Sequence, residues 1–210
     1  FYERFMNEED ITLISPHQAP GLYEAFGTEE FDDLYLKYEA DKTIPKKTVP
    51  AQDLFFDLLK ERAETGRIYI MNLDHCNSHS SFKDKVSMSN LCQEITLPTT
   101  PIQDIHDEQG EIALCILSAV NVGGLNDLSE LENICDLSVR ALEQIIDYQD
   151  YPVRAAEVST KKRRSLGIGY IGLAHYLAKN GVKYSDPKAW DLVDRLSEAF
   201  QYNLLRASCN

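Results

Sequence analysis

The sequence comprises 210 residues, which is enough for one or two domains with a hydrophobic core. With 43% hydrophobic and 26% charged residues, its composition excludes a collagen-like, low-complexity or wholly disordered chain. Lys and Arg number 21 against 34 for Asp and Glu, so the net charge of −13 argues against nucleic acid or an anionic membrane as a direct partner.

The first half of the chain predicts short elements separated by polar loops. In chain order they are a strand at 11–15, one or two helices ending at Tyr38, a loop at 42–50, a helix at 54–62, a strand at 67–71, a loop at 74–89 and an extended segment at 90–97. Gly66 follows the predicted helix at 54–62, and a left-handed glycine commonly ends a helix.

The second half predicts longer elements. They are a strand at 111–122, a helix carrying Leu131 to Ile145 and ending before Pro152, an apolar stretch after the basic cluster 161–164, a helix around 173–177 and a last helix from Asp186 to Phe200. The run 111–122 has little alternation, which is typical of a strand buried on both faces, and Asn126 or Asp127 can cap the next helix. Strands separated by long helices predict an α/β architecture with parallel strands.

The cysteines and the chain ends indicate a compartment and a context. Five cysteines are widely spaced and include no C-x-x-C motif, which favours a reducing cytoplasmic compartment over a secreted disulfide framework. No apolar run approaches the roughly 18 residues of a membrane span, so we expect a soluble protein without a membrane partner. The chain begins and ends beside predicted helices, and we expect it to be a segment of a longer polypeptide or one piece of a split one.

Residues 89–95, Ser-Asn-Leu-Cys-Gln-Glu-Ile, carry the most reactive set of side chains. Because side chains alternate along an extended chain, we expect Asn90, Cys92 and Glu94 to share one face, and residues 91, 93 and 95 to point away. An amide can hold a hydroxylated ligand, a carboxylate can take a proton, and a thiol can do nucleophilic or radical chemistry. The alternative is an inert buried cysteine in a strand with two ordinary polar neighbours.

This segment, followed by Gly110-Glu-Ile-Ala-Leu-Cys115, resembles the large, catalytic subunit of class I (aerobic) ribonucleotide reductases. The resemblance runs nearly end to end, because further blocks match the same family in the same order. These blocks are Thr65–Tyr69, Asp74–Asn77, Asp147–Pro152 and Arg163–Gly169. Several matched blocks in sequence are far more specific than a single motif.

The resemblance implies a part of a ten-stranded α/β barrel, with a central finger loop that presents a radical cysteine at its tip. Cys92 matches that cysteine, which becomes a thiyl radical and abstracts the 3′ hydrogen of a ribonucleotide. Glu94 matches the general base on the 3′ hydroxyl, and Asn90 matches an amide that binds the sugar hydroxyls. Cys115 matches one of two thiols that reduce the intermediate by becoming a disulfide.

The resemblance also implies partners and missing parts. Arg67 and Tyr69 align near the tyrosines that deliver the radical, and we expect them only to support the radical path. Expected partners are the ribonucleotide substrate, the remainder of the large subunit, a metal-containing small subunit that supplies the radical, and thioredoxin or glutaredoxin as reductant. We expect this segment to bind no cofactor or metal, and ATP and dNTP effectors to bind outside it. Residues 1–210 are then a single partial domain, because the family's second reducing cysteine lies upstream and its relay tyrosines lie downstream.

Other interpretations of the pattern remain. Gly167-x-Gly-x-x-Gly172 fits the glycine motif of dinucleotide sites, but residues 161–165 before it are not an apolar strand, so close backbone packing is the expectation. A zinc site could be drawn from His75, Cys76, His79 and Cys92, although their spacing matches no common structural zinc pattern. The basic cluster 161–164 is expected to be a solvated helix end or subunit surface, with a phosphate contact as the alternative. For the function, the alternatives are a related glycyl-radical-type barrel enzyme and a noncatalytic scaffold or complementing piece of a split subunit.

Overall fold

The computed structural model describes all residues from 1 to 210, and they divide into two units at the Pro98–Thr99 bond. In the first unit the elements are α1 (Tyr2–Met6), β1 (Asp10–Ile14), α2 (Glu30–Ala40), β2 (Lys46–Pro50), α3 (Ala51–Thr65) and α4 (Leu73–Ser78). In the second unit they are β3 (Ile116–Asn121), α5 (Leu131–Tyr148), α6 (Arg154–Arg163), β4 (Leu166–Ile171), α7 (Leu173–Lys179) and α8 (Lys188–Cys209). Both units contain helices and strands interspersed along the chain, which agrees with the predicted α/β class.

The first unit is organised around a two-stranded antiparallel sheet. Strands β1 and β2 pair from Asp10 opposite Pro50 to Ile14 opposite Lys46. The loop predicted at 42–50 is therefore wrong over its second half, because β1 supplies the hydrogen-bonding partner that makes residues 46–50 a strand. The hydroxyl of Tyr35 donates to the Thr12 carbonyl and accepts from the Thr12 amide, both at 2.8 Å, which satisfies backbone groups of β1.

Two predictions around α3 have opposite outcomes. Gly66 is left-handed, with φ of 68°, and its amide donates to the Arg62 carbonyl at 2.9 Å, so the predicted helix end is confirmed. The strand predicted at 67–71 is wrong, because no strand pairs with this segment. β-prone side chains do not form a strand without a neighbour to share the backbone hydrogen bonds. The loop predicted at 74–89 begins instead with the short helix α4.

The second unit contains a parallel pair of strands, which agrees with the predicted parallel architecture, although the sequence predicts only an apolar stretch where β4 lies. Strands β3 and β4 align from Ile116 opposite Leu166 to Asn121 opposite Ile171, and α5 packs against both strands. The strand predicted at 111–122 is shorter than expected and is not buried on both faces, since Leu117 is 58% exposed. Asp127 accepts a hydrogen bond from the Ser129 amide at 2.8 Å and caps the short turn that leads into α5, as expected.

The core of the second unit lies where β3, α5 and α8 meet. Its buried members are Val120, Val122, Leu125, Leu131, Cys135, Leu196 and Phe200. Burial raises the pKa of the Cys135 thiol, more than the nearby Arg206 charge lowers it, so Cys135 is held as an inert apolar side chain. Each sheet has only two strands, and the chain forms no closed barrel by itself. None of its helices combines the length and the apolar character that crossing a bilayer requires.

Candidate active site

Cys92 lies at the apex of a tight turn. The amide of Gln93 donates to the Asn90 carbonyl at 3.1 Å, so Leu91 and Cys92 are the two central residues of a four-residue turn. Gln93 is left-handed, with φ of 61°, which is uncommon for a residue other than glycine. On either side of the turn, the Ser89 hydroxyl donates to the Ile95 carbonyl at 2.6 Å. The thiol is thereby carried at the tip of a loop whose two arms are tied together.

The turn changes the predicted geometry of this segment. The extended conformation expected from residue 90 onward is wrong for residues 90–93, because the turn bond bends the chain there. Leu91, expected to point away from the reactive side chains, is itself 82% exposed, so exposed and buried residues do not alternate regularly along this segment. Asn90, Cys92 and Glu94 are nevertheless all exposed, whereas Gln93 and Ile95 are half-buried. An amide, a thiol and a carboxylate are therefore accessible together on five consecutive residues, and the buried inert cysteine of the alternative interpretation is wrong.

Cys115 lies in the second unit, directly before β3, and is half-buried. Its sulfur is close to the backbone of β4, because a Cβ atom placed on Gly167 would lie 2.8 Å from the Cys115 sulfur and 2.5 Å from the Leu117 side chain. Real Cβ atoms do not approach other atoms so closely, so a larger residue at this position would make the Cys115 or Leu117 side chain shift. The structure contains no disulfide bond.

The glycines of the motif at 167–172 lie in and directly after β4, where neighbouring atoms come close to two of them. Gly167 and Gly169 lie within β4, and Gly172 is the left-handed residue before α7, where a Cβ atom would collide with the side-chain oxygen of Asn121. In a dinucleotide site the first glycines instead form the turn after the strand. Close backbone packing is confirmed at Gly172, where the Gly123 amide nitrogen is also near, whereas the close neighbours of Gly167 are side chains.

The remaining site candidates are spread over the first unit. Arg67 is exposed and Tyr69 is 46% exposed, both in the irregular segment after α3. His75 and Cys76 lie on α4, and the His79 ring contacts the Ser78 hydroxyl at 2.9 Å and the His75 carbonyl at 3.1 Å. No three His, Cys, Asp or Glu side chains converge as a metal-binding group.

The basic cluster forms ion pairs, and one of its four cations is nearly buried. Arg163 has a side chain only 9% exposed and pairs with Glu111, which is 7% exposed and also accepts from Lys162 at 2.5 Å. Burial alone would raise the pKa of Glu111, but hydrogen bonds from Lys162 and Arg163 outweigh it and lower the pKa. The expectation of a solvated helix end is therefore wrong for Arg163, because the carboxylate of Glu111, distant in sequence, is buried beside its guanidinium.

A second ion pair joins two of the blocks on which the family resemblance depends. Arg164 donates to Asp147 at 2.8 Å and also bonds Glu143, linking the segment after α6 to the end of α5. This guanidinium lowers the pKa of the Asp147 carboxyl. Lys161 is held by Glu157 at 2.8 Å, so all four cations of the cluster are in ion pairs and the phosphate alternative gains no support.

Comparison with known families identifies the chain. Residues 1–210 match the family described as "Ribonucleotide reductase, barrel domain". The chain belongs to the ribonucleotide reductase family. Its membership agrees with the resemblance seen in the sequence and with the α/β class of the structure.

Curated members of the reductase family match over the whole chain. The "Ribonucleoside-diphosphate reductase subunit alpha" of Haemophilus influenzae is 58% identical over 214 residues, covering 100% of this chain and 28% of that protein. The "Ribonucleoside-diphosphate reductase 1 subunit alpha" of Escherichia coli is 54% identical over 212 residues, with 99% of this chain and 28% of that protein covered. The subunit alpha of enterobacteria phage T4 is 40% identical over 214 residues. The chain thus spans about 28% of the length of the curated relatives it matches.

Proposed function

We propose that this chain is part of the catalytic subunit of a class I reductase that converts ribonucleoside diphosphates to 2′-deoxyribonucleotides for DNA precursor synthesis. The names of the relatives support this reaction and substrate class. The observation that carries the proposal is the accessible Cys92 thiol at the apex of a tied turn, with the Asn90 amide and the Glu94 carboxylate exposed beside it. A thiol at a loop tip can enter a substrate pocket that the loop's own backbone does not block.

In the first chemical steps, Cys92, Glu94 and Asn90 would each have one role. The Cys92 sulfur, as a thiyl radical supplied by the partner subunit, takes the 3′ hydrogen atom of the ribose, which forms an S–H bond and leaves a carbon radical. The two bonds are similar in strength, so this transfer is nearly balanced and reversible. Glu94 accepts the proton of the 3′ hydroxyl, which helps the 2′ hydroxyl leave as water. Asn90 holds the sugar hydroxyls by hydrogen bonding.

The reducing equivalents come from two thiols, of which Cys115 is one. The pair supplies two electrons and two protons and becomes a disulfide, the 2′ oxygen departs as water, and Cys92 returns its hydrogen atom to the 3′ carbon. The net balance is one ribonucleotide and two thiols giving one deoxyribonucleotide, one disulfide and one water. Gly167 leaves the space that the Cys115 sulfur occupies beside β4, which supports a place for a thiol at this position.

The proposal extends to the fold and the partners. Both units would belong to one partial domain of a ten-stranded α/β barrel, in which the Cys92 turn is the tip of the central finger loop. The complete enzyme would contain the rest of the large subunit and a metal-containing small subunit that supplies the radical. Thioredoxin or glutaredoxin would reduce the disulfide in the cytoplasm, and Arg67 and Tyr69 would support the radical path. Nucleotide effectors would bind outside residues 1–210.

The test uses the complete subunit that contains residues 1–210, with its radical-generating partner, a ribonucleoside diphosphate and a dithiol. Cys92→Ser abolishes deoxynucleotide formation, because a hydroxyl O–H bond is too strong for the relayed oxidation to form the radical. Cys209→Ser is the matched control, since Cys209 is also exposed but lies at the end of α8, and it retains turnover. Turnover by Cys92→Ser close to that of the unmodified subunit would reject the proposed function.

A further inference from the structure

We propose that Ser89 is a positioning residue for the thiol and carboxylate of the Cys92 turn, an inference that depends on the proposed function. Ser89 is half-buried and sits one residue before the turn. Its hydroxyl lies 2.6 Å from the Ile95 carbonyl and 3.2 Å from the side-chain oxygen of Asn90. One serine therefore contacts both arms of the loop that carries Cys92 and Glu94.

The second half of this clamp is the Asn90 side chain. Its Oδ1 atom accepts a hydrogen bond from the Ile95 amide at 3.0 Å. Because a backbone N–H can only donate, the atom facing it must be the oxygen, and this fixes the orientation of the amide. The Nδ2 group of Asn90 then remains free of protein hydrogen bonds and accessible. Asn90 is thus held by the clamp so that it offers a donor, and not an acceptor, to a sugar oxygen.

The turn has a conformational reason to need such a clamp. Gln93 has φ of 61°, and an L-residue with a Cβ atom pays conformational energy in the left-handed region. Gln93 lies between Cys92 and Glu94, so relaxation of its backbone would move both side chains relative to each other. The Ser89–Ile95 and Asn90–Ile95 bonds hold the two ends of the segment while Gln93 keeps this conformation.

The clamp has a defined kinetic consequence. Hydrogen abstraction needs the sulfur near the 3′ carbon while the carboxylate is near the 3′ hydroxyl, so both groups must be placed at once. A loosened turn lowers the fraction of enzyme in that arrangement without removing any group that touches the substrate. The loss is therefore expected in kcat and not in substrate binding.

The experiment compares three variants in the complete subunit with its radical partner. Ser89→Ala lowers kcat about tenfold and leaves the substrate dissociation constant within about twofold of its original value. Ser89→Thr keeps the hydroxyl and restores kcat to within about twofold. Ser80→Ala is the control, because Ser80 is also a half-buried loop serine, whose hydroxyl accepts from the Phe82 amide at 3.0 Å, and its kcat stays unchanged.

The outcomes separate this inference from the proposed function. If Ser89→Ala is as active as the unmodified subunit while Cys92→Ser is inactive, the clamp is unnecessary and only the Ser89 inference fails. If Ser89→Ala reduces the fraction of subunits that bind substrate, or Ser89→Thr restores nothing, Ser89 has a general structural role and the inference is also overturned. If Cys92→Ser is active, the proposed function fails whatever Ser89 does.

Discussion

Replacing Glu111 by Gln should destabilise the second unit strongly, because this carboxylate neutralises a nearly buried guanidinium. Arg163 has a side chain 9% exposed, so water cannot replace the lost charge. Removing one partner of such a buried pair costs about 3 kcal/mol or more. The ion pair with Lys162 adds little to this loss of stability, since the Lys162 side chain is 56% exposed and its ammonium stays hydrated. The backbone bridge between Glu111 and Thr100, with both bonds at 3.0 Å, is not removed by the substitution.

Hydrogen exchange of peptides covering α6 measures this loss locally, with urea unfolding followed by circular dichroism as a second readout. A loss of about 3 kcal/mol corresponds to exchange about a hundredfold faster where exchange requires opening of the unit. Glu157→Gln is the control, because Glu157 lies on α6, the helix whose exchange is followed. It bonds Arg154 at 2.6 Å and Lys161 at 2.8 Å, but both cations are about half exposed, so its effect is much smaller. Equal effects of the two substitutions would refute the reasoning.

The Glu111 pair also gives the stability a defined pH dependence. The folded pKa of Glu111 is lowered from its usual 4.5, so the pair stabilises the unit fully above that pH. Its contribution is lost as the pH falls through the lower folded pKa and the carboxylate becomes protonated. The difference between the unmodified chain and Glu111→Gln should therefore shrink in acid below about pH 4.5. A difference that grows in acid would have the wrong sign for this pair.

Three further predictions concern packing, the first sheet and the chemistry. Gly167→Ala should destabilise the second unit by about 1–3 kcal/mol in urea unfolding, because its Cβ atom would meet the Leu117 and Cys115 side chains, whereas Gly169→Ala, with nothing within 4 Å, should not. Tyr35→Phe should lower the free energy of unfolding of the first unit by about 1 kcal/mol, because the Thr12 amide and carbonyl lose their hydrogen-bonding partner. Tyr38→Phe is the control, since the Tyr38 hydroxyl makes an exposed bond to the Pro20 carbonyl, and equal losses in the two variants would contradict this reasoning. Glu94→Gln in the complete subunit should lower kcat by about a hundredfold or more with little change in KM, because the amide cannot accept the 3′ hydroxyl proton; an unchanged kcat would remove Glu94 as the base.

The sequence predicts well those elements that depend only on residues within a single segment of the chain. Helix α5 follows from apolar spacing along a single segment, and Gly66 ends α3 because its own backbone can be left-handed. The parallel direction of β3 and β4 agrees with the architecture expected from strands separated by helices, but the sequence predicts only an apolar stretch, and not a strand, where β4 lies. The strand predicted at 67–71 fails for the opposite reason, since a strand depends on a partner that the segment's own residues do not specify.

The candidate site shows the same division. The residue types of Asn90, Cys92 and Glu94 are the basis of the proposed chemistry, and all three residues are exposed. The sequence does not predict the turn, because the left-handed residue is Gln93 and not a glycine, although Ser89-Asn90 is a pair typical of turns. The Glu111–Arg163 pair lies 52 residues apart in sequence, and no local pattern predicts which carboxylate reaches a given arginine.

The measurement that tests the central claim most directly is the fate of the substrate's 3′ C–H bond in the Cys92→Ser and Cys115→Ser forms of the complete subunit. With a 3′-tritiated ribonucleoside diphosphate and the radical partner, Cys92→Ser should release no tritium and leave the nucleotide intact. Cys115→Ser still forms the thiyl radical but cannot finish the reduction, so it should release tritium, break the nucleotide down and inactivate. Tritium release by Cys92→Ser would contradict the assignment of the radical thiol, and clean deoxynucleotide formation by Cys115→Ser would remove Cys115 from the reducing pair.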